Sequence, residues 1–283
     1  MTFDQVERRI NCLYDALSDA AVPFGAPVGV RLQASGDWIC AMLAILQYGA
    51  VYVPLDTRYG LSRIASIIDD CQPAAIFLDE SNISDAEELI SGRHQVNTII
   101  VSSLSGRSKG KVTIRAEPQS TAAILYTSGS TGEPKGIPLS HEGLRNNIES
   151  ASRIFDISSN DVILQQTAFS FDFSLWQIFL ALMNGGSLVV VPDQLRRDAV
   201  SIAELISNSH VTLTGGTPSE YSSWLRYGVS ESLRGSQWTR AICGGEAVQD
   251  SLLEDFRILG KTDLRVHNIY GKIYFQFIVL LAD

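Results

Sequence analysis

The chain has 283 residues, 45% of them apolar and 19% charged, with a formal net charge of −9. This composition is globular and far from the disordered range, and the length is ample for a buried core in one large or two smaller domains. The acidic balance argues against a nucleic-acid-binding surface, so a nucleotide ligand would need a local positive patch. Thr2 and Gln5 have capping-box spacing ahead of Val6, Ile10, Leu13 and Leu17, which predicts an opening amphipathic helix. A strand follows over 27–32, then an apolar helix over 37–48 closed by Gly49, and a strand over 51–53. Helices over 61–68 and 85–90 alternate with strands over 74–78 and 98–101. The polar stretch 102–110 reads as a loop or a weak boundary. Beyond residue 140 the alternation resumes, with helices over 142–152, 172–182, 199–206, 219–225 and 251–259 and strands over 162–166, 187–191, 211–214, 240–243 and 264–268. Such alternation predicts an α/β fold of mostly parallel sheets flanked by helices.

Cys12, Cys40, Cys71 and Cys243 form no CxxC pair, and His94, His141, His210 and His267 lie at no metal-ligand spacing. Reduced thiols in a cytoplasmic protein are expected. Asp4, Glu7, Arg8 and Arg9 interrupt any signal segment at the start, and the apolar region 38–55 is broken by Gln47, Gly49 and Pro54, so no membrane span is expected.

The densest chemistry lies where the apolar run Ala123-Ile124-Leu125-Tyr126 stops at Thr127-Ser128-Gly129-Ser130-Thr131-Gly132-Glu133-Pro134-Lys135-Gly136. Glycines let a backbone approach an anion, hydroxyls turn donors toward its oxygens, and Lys135 adds a mobile positive charge. The stretch is not a Walker A loop, because Lys135 lies between Pro134 and Gly136 and the following Ile137-Pro138-Leu139 predicts extended chain, not a helix. A plain Gly/Ser surface turn is the competing reading.

The segment 126–136 closely resembles the phosphate-binding signature of the adenylate-forming (AMP-binding) enzymes, which include acyl-CoA ligases, luciferases and the adenylation domains of nonribosomal peptide synthetases. Further stretches resemble that family's motifs in order. Residues 1–6 and 46–56 look like its first two structural motifs, and Phe171-Asp172-Phe173-Ser174, Gly215-Gly216-Thr217-Pro218-Ser219-Glu220-Tyr221, Gly244-Gly245-Glu246-Ala247 and Asn268-Ile269-Tyr270-Gly271 follow. The resemblance implies that Lys135 is a catalytic group, and that Thr127, Ser128, Gly129, Ser130, Thr131, Gly132, Lys135, Gly244, Gly245, Glu246, Asn268, Tyr270 and Gly271 hold ATP. It implies that Asp172 binds a substrate α-amino group, with Phe173, Trp176, Gly215, Ile242, Gly244 and Ile269 lining the side-chain pocket. Each has a structural alternative. Asp172 reads equally as a helix cap, Phe173 and Trp176 as core, Thr217 or Ser219 as a cap, and Glu246 as a carboxylate near a helix N-terminus.

The resemblance covers residues 1–271, taken as the N-terminal portion of an adenylation domain, with 272–283 as a divergent tail. Where the family continues Pro-Thr-Glu, this chain has Lys272, Ile273 and Tyr274. The usual Mg²⁺-binding glutamate and the late catalytic lysine of the small C-terminal domain have no counterpart. The tail is expected to arise from an unspliced intron or a frameshift, and the sheet to end at residue 271 with an uncovered edge. The expected function is ATP- and Mg²⁺-dependent activation of an amino acid or other small carboxylate, with a phosphopantetheinyl carrier domain as partner. A non-catalytic nucleotide-binding remnant and an acyl-CoA ligase-like enzyme are the alternatives.

Overall fold

The computed structural model describes residues 1–93, 96–104, 113–128, 133–272 and 275–279. They fall into two compact units, Met1–Asn146 and Asn147–Asp283.

The first unit opens with α1 (Phe3–Asp19), whose predicted capping box is complete: Gln5 N donates to Thr2 Oγ1 and Thr2 N to Gln5 Oε1. It continues through β1 (Pro27–Arg31), α2 (Gly36–Tyr48), β2 (Val51–Pro54), α3 (Leu61–Cys71), β3 (Ala75–Leu78), α4 (Ile83–Ile90), β4 (Asn97–Ile100), β5 (Thr121–Ser128) and β6 (Pro134–Ser140). Gly49 ends α2 at φ +84°, where a side chain would also strike the Phe24 ring. The sheet order is β4-β3-β1-β2-β5-β6, parallel except for the β5–β6 hairpin. Its central strands are buried along their length, which is why they read as continuous apolar runs instead of alternating ones. Ile64, Ile67 and Ile68 of α3 pack on that sheet, and each buried side chain contributes about 1.5–3 kcal/mol. Of the predicted 102–110 loop, residues 105–110 lie outside the described residues.

Helix α5 (His141–Ile154) leads into the second unit, which contains β7 (Val162–Gln165), α6 (Asp172–Met183), β8 (Ser187–Val190), α7 (Ala199–Asn208), β9 (Leu213–Gly216), α8 (Pro218–Tyr227), α9 (Ser230–Gly235), β10 (Arg240–Gly244), α10 (Asp250–Leu259), β11 (Arg265–Lys272) and β12 (Phe275–Val279). The sheet order is β12-β11-β10-β9-β7-β8. Every pairing is parallel except β11–β12. A core of Tyr221, Trp224, Trp238, Cys243 and Leu252 fills one side of it.

Two departures from expectation matter. Strand β9 lies two residues later than predicted, because Val211 N still bonds Ile206 O behind α7 while Gly215 and Gly216 pair with Ile242 and Cys243. The edge expected at residue 271 is covered: β12 pairs Asn268–Lys272 with Val279–Phe275, supplying the bonds that β11 would otherwise leave open.

Candidate functional site

In the second sheet β8 lies on one side of β7 and β9, β10 and β11 lie on the other. The strand order therefore reverses between β7 and β9, and in open α/β sheets the crevice beyond the carboxyl ends of such strands is where ligands bind. Here that crevice is built from amides and glycines. Gln177 of α6, 1% exposed, accepts from Thr167 N at 3.1 Å and donates to Gln166 Oε1 at 2.7 Å and to Gly215 O at 2.8 Å. Its side chain thus ties α6 to the ends of both strands with no polar atom left over, the condition under which a buried amide is tolerable. Arg196 supports the same floor, donating to Gln166 O while paired with Asp193.

Phe173 lies against Gly215 so closely that a Cβ there would sit 2.4 Å from its ring, so any side chain at this position would displace the ring. Trp176 packs against Phe173 and Phe155, and Phe155 against His267. Register sets Gly215, Ile242 and His267 abreast on three strands, and Gly244 beside Ile269, two residues further along the same face. Five predicted pocket residues, Phe173, Gly215, Ile242, Gly244 and Ile269, therefore share one face at the strand ends. His267 holds its proton less readily than usual, first because it is half-buried and then because Arg265 and Arg240 are near. Asp172 is half-buried and occupies the first position of α6, directly after the N-cap Phe171, which makes no side-chain capping bond.

The β10 turn is organised separately. A Cβ at Gly244 would lie 2.7 Å from Ile269 Cγ1, and Gly245 stands at φ +86°. The carboxylate of Glu246 accepts from Ser219 Oγ at 2.5 Å and Ser219 N at 3.2 Å, so it sits at the N-terminus of α8. Thr217 and Glu220 form a reciprocal capping box on that helix. Burial raises the Glu220 carboxyl above the usual glutamate range, opposed by the Thr217 backbone bond and by Gln166, with Glu246 adding to the rise. An open cavity of about 530 Å³ lies between α8 and the start of α10, lined by Pro218, Ser222, Ser223, Arg226 and Gln249 among others. Glu246 is the one sequence-predicted site residue in its wall.

In the first unit the glycine-rich segment joins two antiparallel strands instead of a strand and a helix, the feature that separates it from a Walker A loop. Thr127 faces exposed Lys135 across the hairpin, and Tyr126 faces Gly136. Tyr126 donates to Asp70 Oδ2 at 2.5 Å, which pins the hairpin stem to the end of α3. Ser128 ends β5 opposite Pro134, whereas Gly129, Ser130, Thr131 and Gly132 lie outside the described residues. On β11, Asn268 pairs in register with Cys243, and Tyr270 and Gly271 face Phe277 and Gln276 of β12. Ile273 and Tyr274 lie outside the described residues. Among the described residues no cluster of three metal-ligating side chains occurs, and no helix is long and apolar enough to cross a membrane.

Sequence reasoning missed Gln177, because a lone glutamine on an apolar helix carries no local signal of its partners. It offered Thr217 as a cap but missed the reciprocal half from Glu220, which was legible: Thr-Pro-x-Glu has both the spacing and the proline at the first helical position.

Comparison with known proteins agrees with this geometry. The sequence profile of the AMP-binding enzyme family matches residues 1–272. The chain is 45% identical over 271 residues to a hybrid PKS-NRPS synthetase, poxE, of Penicillium oxalicum, and 42% identical over 278 residues to a polyketide synthase-nonribosomal peptide synthetase of Aspergillus clavatus. Those alignments cover 96% and 98% of this chain but about 7% of either relative. Among solved structures, the N-terminal domain of FACL13 from Mycobacterium tuberculosis superposes with a TM-score of 0.87 at 20% identity, covering 99% of this chain and 72% of that one. The four-domain nonribosomal peptide synthetase AB3403, bound to AMP and glycine, gives 0.83 at 24% identity, covering all of this chain and 20% of that one. These structural likenesses establish the fold, and the profile establishes the family: the chain belongs to the AMP-binding enzymes, the adenylate-forming group whose members include nonribosomal peptide synthetase adenylation domains.

Proposed function

We propose that this chain is the nucleotide- and substrate-handling portion of an adenylation domain that activates an amino acid, within a hybrid polyketide–peptide synthetase. The observation that carries the reading is the position of Asp172: a half-buried carboxylate at the first position of α6, next to Phe173, whose ring lies on Gly215. A carboxylate flanked by aromatic and apolar groups favours a cationic partner, and an α-ammonium group supplies one.

In the proposed reaction a carboxylate oxygen of the amino acid attacks the α-phosphorus of ATP. The new P–O bond forms as the bond to the β-phosphate bridging oxygen breaks, and pyrophosphate leaves with that electron pair. Thr127 to Gly132 and Lys135 bind the phosphates, Lys135 offsetting the charge that grows on the leaving group. Gly244, Gly245 and Glu246 with Asn268, Tyr270 and Gly271 hold the nucleoside. Asp172 fixes the amino group, and Phe173, Trp176, Gly215, Ile242, Gly244 and Ile269 shape the side-chain pocket. Positioning of this kind accounts for much of the acceleration in such transfers. The adenylate then passes to a phosphopantetheinyl thiol of a carrier domain. A cytoplasmic location fits these partners.

Magnesium is a poor fit to the residues present. Lys272 brings a cation, Ile273 no donor, and Tyr274 a phenol where the family places a carboxylate, so no step is routed through the metal here. That substitution favours a second reading, a nucleotide-binding module without turnover. Amino-acid-dependent exchange of pyrophosphate into ATP separates the two. Exchange well above a Lys135→Ala control supports the enzyme; ATP binding by calorimetry with no exchange for any of the twenty amino acids supports the module.

A further inference from the structure

The N-terminus of α8 accounts for each of its donors. Thr217 N donates to Glu220 Oε2, Pro218 has no N–H, Glu220 N donates to Thr217 Oγ1, and Tyr221 N begins the helical ladder on Thr217 O. Ser219 N remains, and its acceptor comes from another element: Glu246, two residues beyond the end of β10, takes both Ser219 N and Ser219 Oγ on the same oxygen, Oε2. A bond from a hydroxyl to a carboxylate at 2.5 Å is of the strong, charge-assisted kind, and the helix N-terminus adds its partial positive charge. Gly245, between β10 and Glu246, holds a left-handed φ of +86°, and neither it nor Gly244 has a side chain to restrain the turn, which leaves that of Glu246. Its nearest neighbour outside the turn is again the cap of α8, with Thr217 Cγ2 3.7 Å from where a Cβ would stand.

We propose that Ser219 is a positioning residue for the nucleotide: it clasps Glu246 and so holds the Gly244-Gly245-Glu246 turn in its binding shape without touching the ligand. The inference rests on the proposed function only in taking that turn as a nucleotide contact; the clasp itself is independent of it. The ordinary reading of Ser219, a helix-start residue of general structural value, makes a different prediction. A cap stabilises α8 throughout, whereas the clasp acts on one turn and one substrate.

The test uses the full chain with Ser219→Ala and Ser219→Thr, which keeps the hydroxyl. Amide hydrogen exchange of residues 244–248 without ligand reads the clasp, and ATP affinity by calorimetry reads its consequence. Ser219→Ala is expected to speed exchange at 244–248, with α8 beyond its first turn unchanged, and to weaken ATP about five- to ten-fold, the size of one ordinary hydrogen bond. The amino-acid KM in pyrophosphate exchange should stay within two-fold, and Ser219→Thr should restore ATP affinity. Unchanged hydrogen exchange at 244–248 in Ser219→Ala would overturn the clasp. Faster exchange there with parental ATP affinity would overturn the positioning role, and a parent chain that binds no ATP would overturn that role together with the functional reading.

Discussion

The two sheets each contain a point where strand order reverses, and the two points are finished in opposite ways. In the first sheet the reversal lies between β1 and β3, and Asp79, just past β3, closes it: its carboxylate accepts from Gln33 N at 2.9 Å, Ser81 Oγ at 2.6 Å and Asn82 Nδ2 at 2.6 Å. In the second it lies between β7 and β9, where two glycines and a buried glutamine leave backbone and ring surfaces instead of a satisfied charge. Topology supplies two crevices of the kind that binds ligands, and under the proposed function the second is the site. Asp79 is held by Gln33, Ser81 and Asn82, whereas at the second point the Phe173 ring and Gly215 meet in van der Waals contact at the strand ends.

Substitutions at the two points should therefore separate stability from substrate use. The largest effect is expected from Gly215→Ala. Its Cβ would lie 2.4 Å from the Phe173 ring, forcing that ring out of place at a cost of about 1–3 kcal/mol and reducing amino-acid-dependent exchange by on the order of 100-fold. Pairing it with Phe173→Ala should recover stability in urea titration but not the parental substrate preference. Next, Gln177→Leu leaves Thr167 N, Gln166 Oε1 and Gly215 O without their partner and should cost about 3 kcal/mol, with a larger rise in amino-acid KM than in ATP KM.

At the closed point, Asp79→Ala should cost about 1–2 kcal/mol and leave both KM values unchanged. A shift in either KM would place ligand contacts where the comparison denies them.

The smallest effect is a pH signature at Glu220. Its carboxyl is raised in the folded chain, so the native state holds the proton over the interval above the unfolded value of about 4.3, and stability falls as pH rises through that interval. Glu220→Gln keeps an acceptor for Thr217 N, and its stability should decline less than the parent's between pH 4 and neutrality. A parent and variant with parallel pH curves would contradict the burial argument.

Much of this was legible in the sequence where the signal is local. The box at Thr2 and Gln5, the left-handed Gly49 and the helix–strand alternation follow from spacing and turn chemistry within a few residues. The candidate pocket was legible only through the family motifs, since nothing near Gly215 announces that Phe173 lies on it. Contacts between distant elements escaped: Gln177 reaches Gly215 across 38 residues and Ser219 meets Glu246 across 27. The apolar segment Phe275–Val279 gave no strand signal of its own because its pattern does not alternate; pairing with β11 makes it β12. Helix α9 is six residues long, too short for a periodic pattern to stand out.

Under the proposed function Asp172 selects an α-amino group. The direct measurement is ATP–pyrophosphate exchange with the preferred amino acid and with the same acid lacking its amino group, for the parent chain and Asp172→Asn. The parent is expected to prefer the amino acid by at least about ten-fold, and this preference to collapse in Asp172→Asn as the ion pair is lost. Equal exchange with both acids in the parent, or an undiminished preference in the variant, would contradict it.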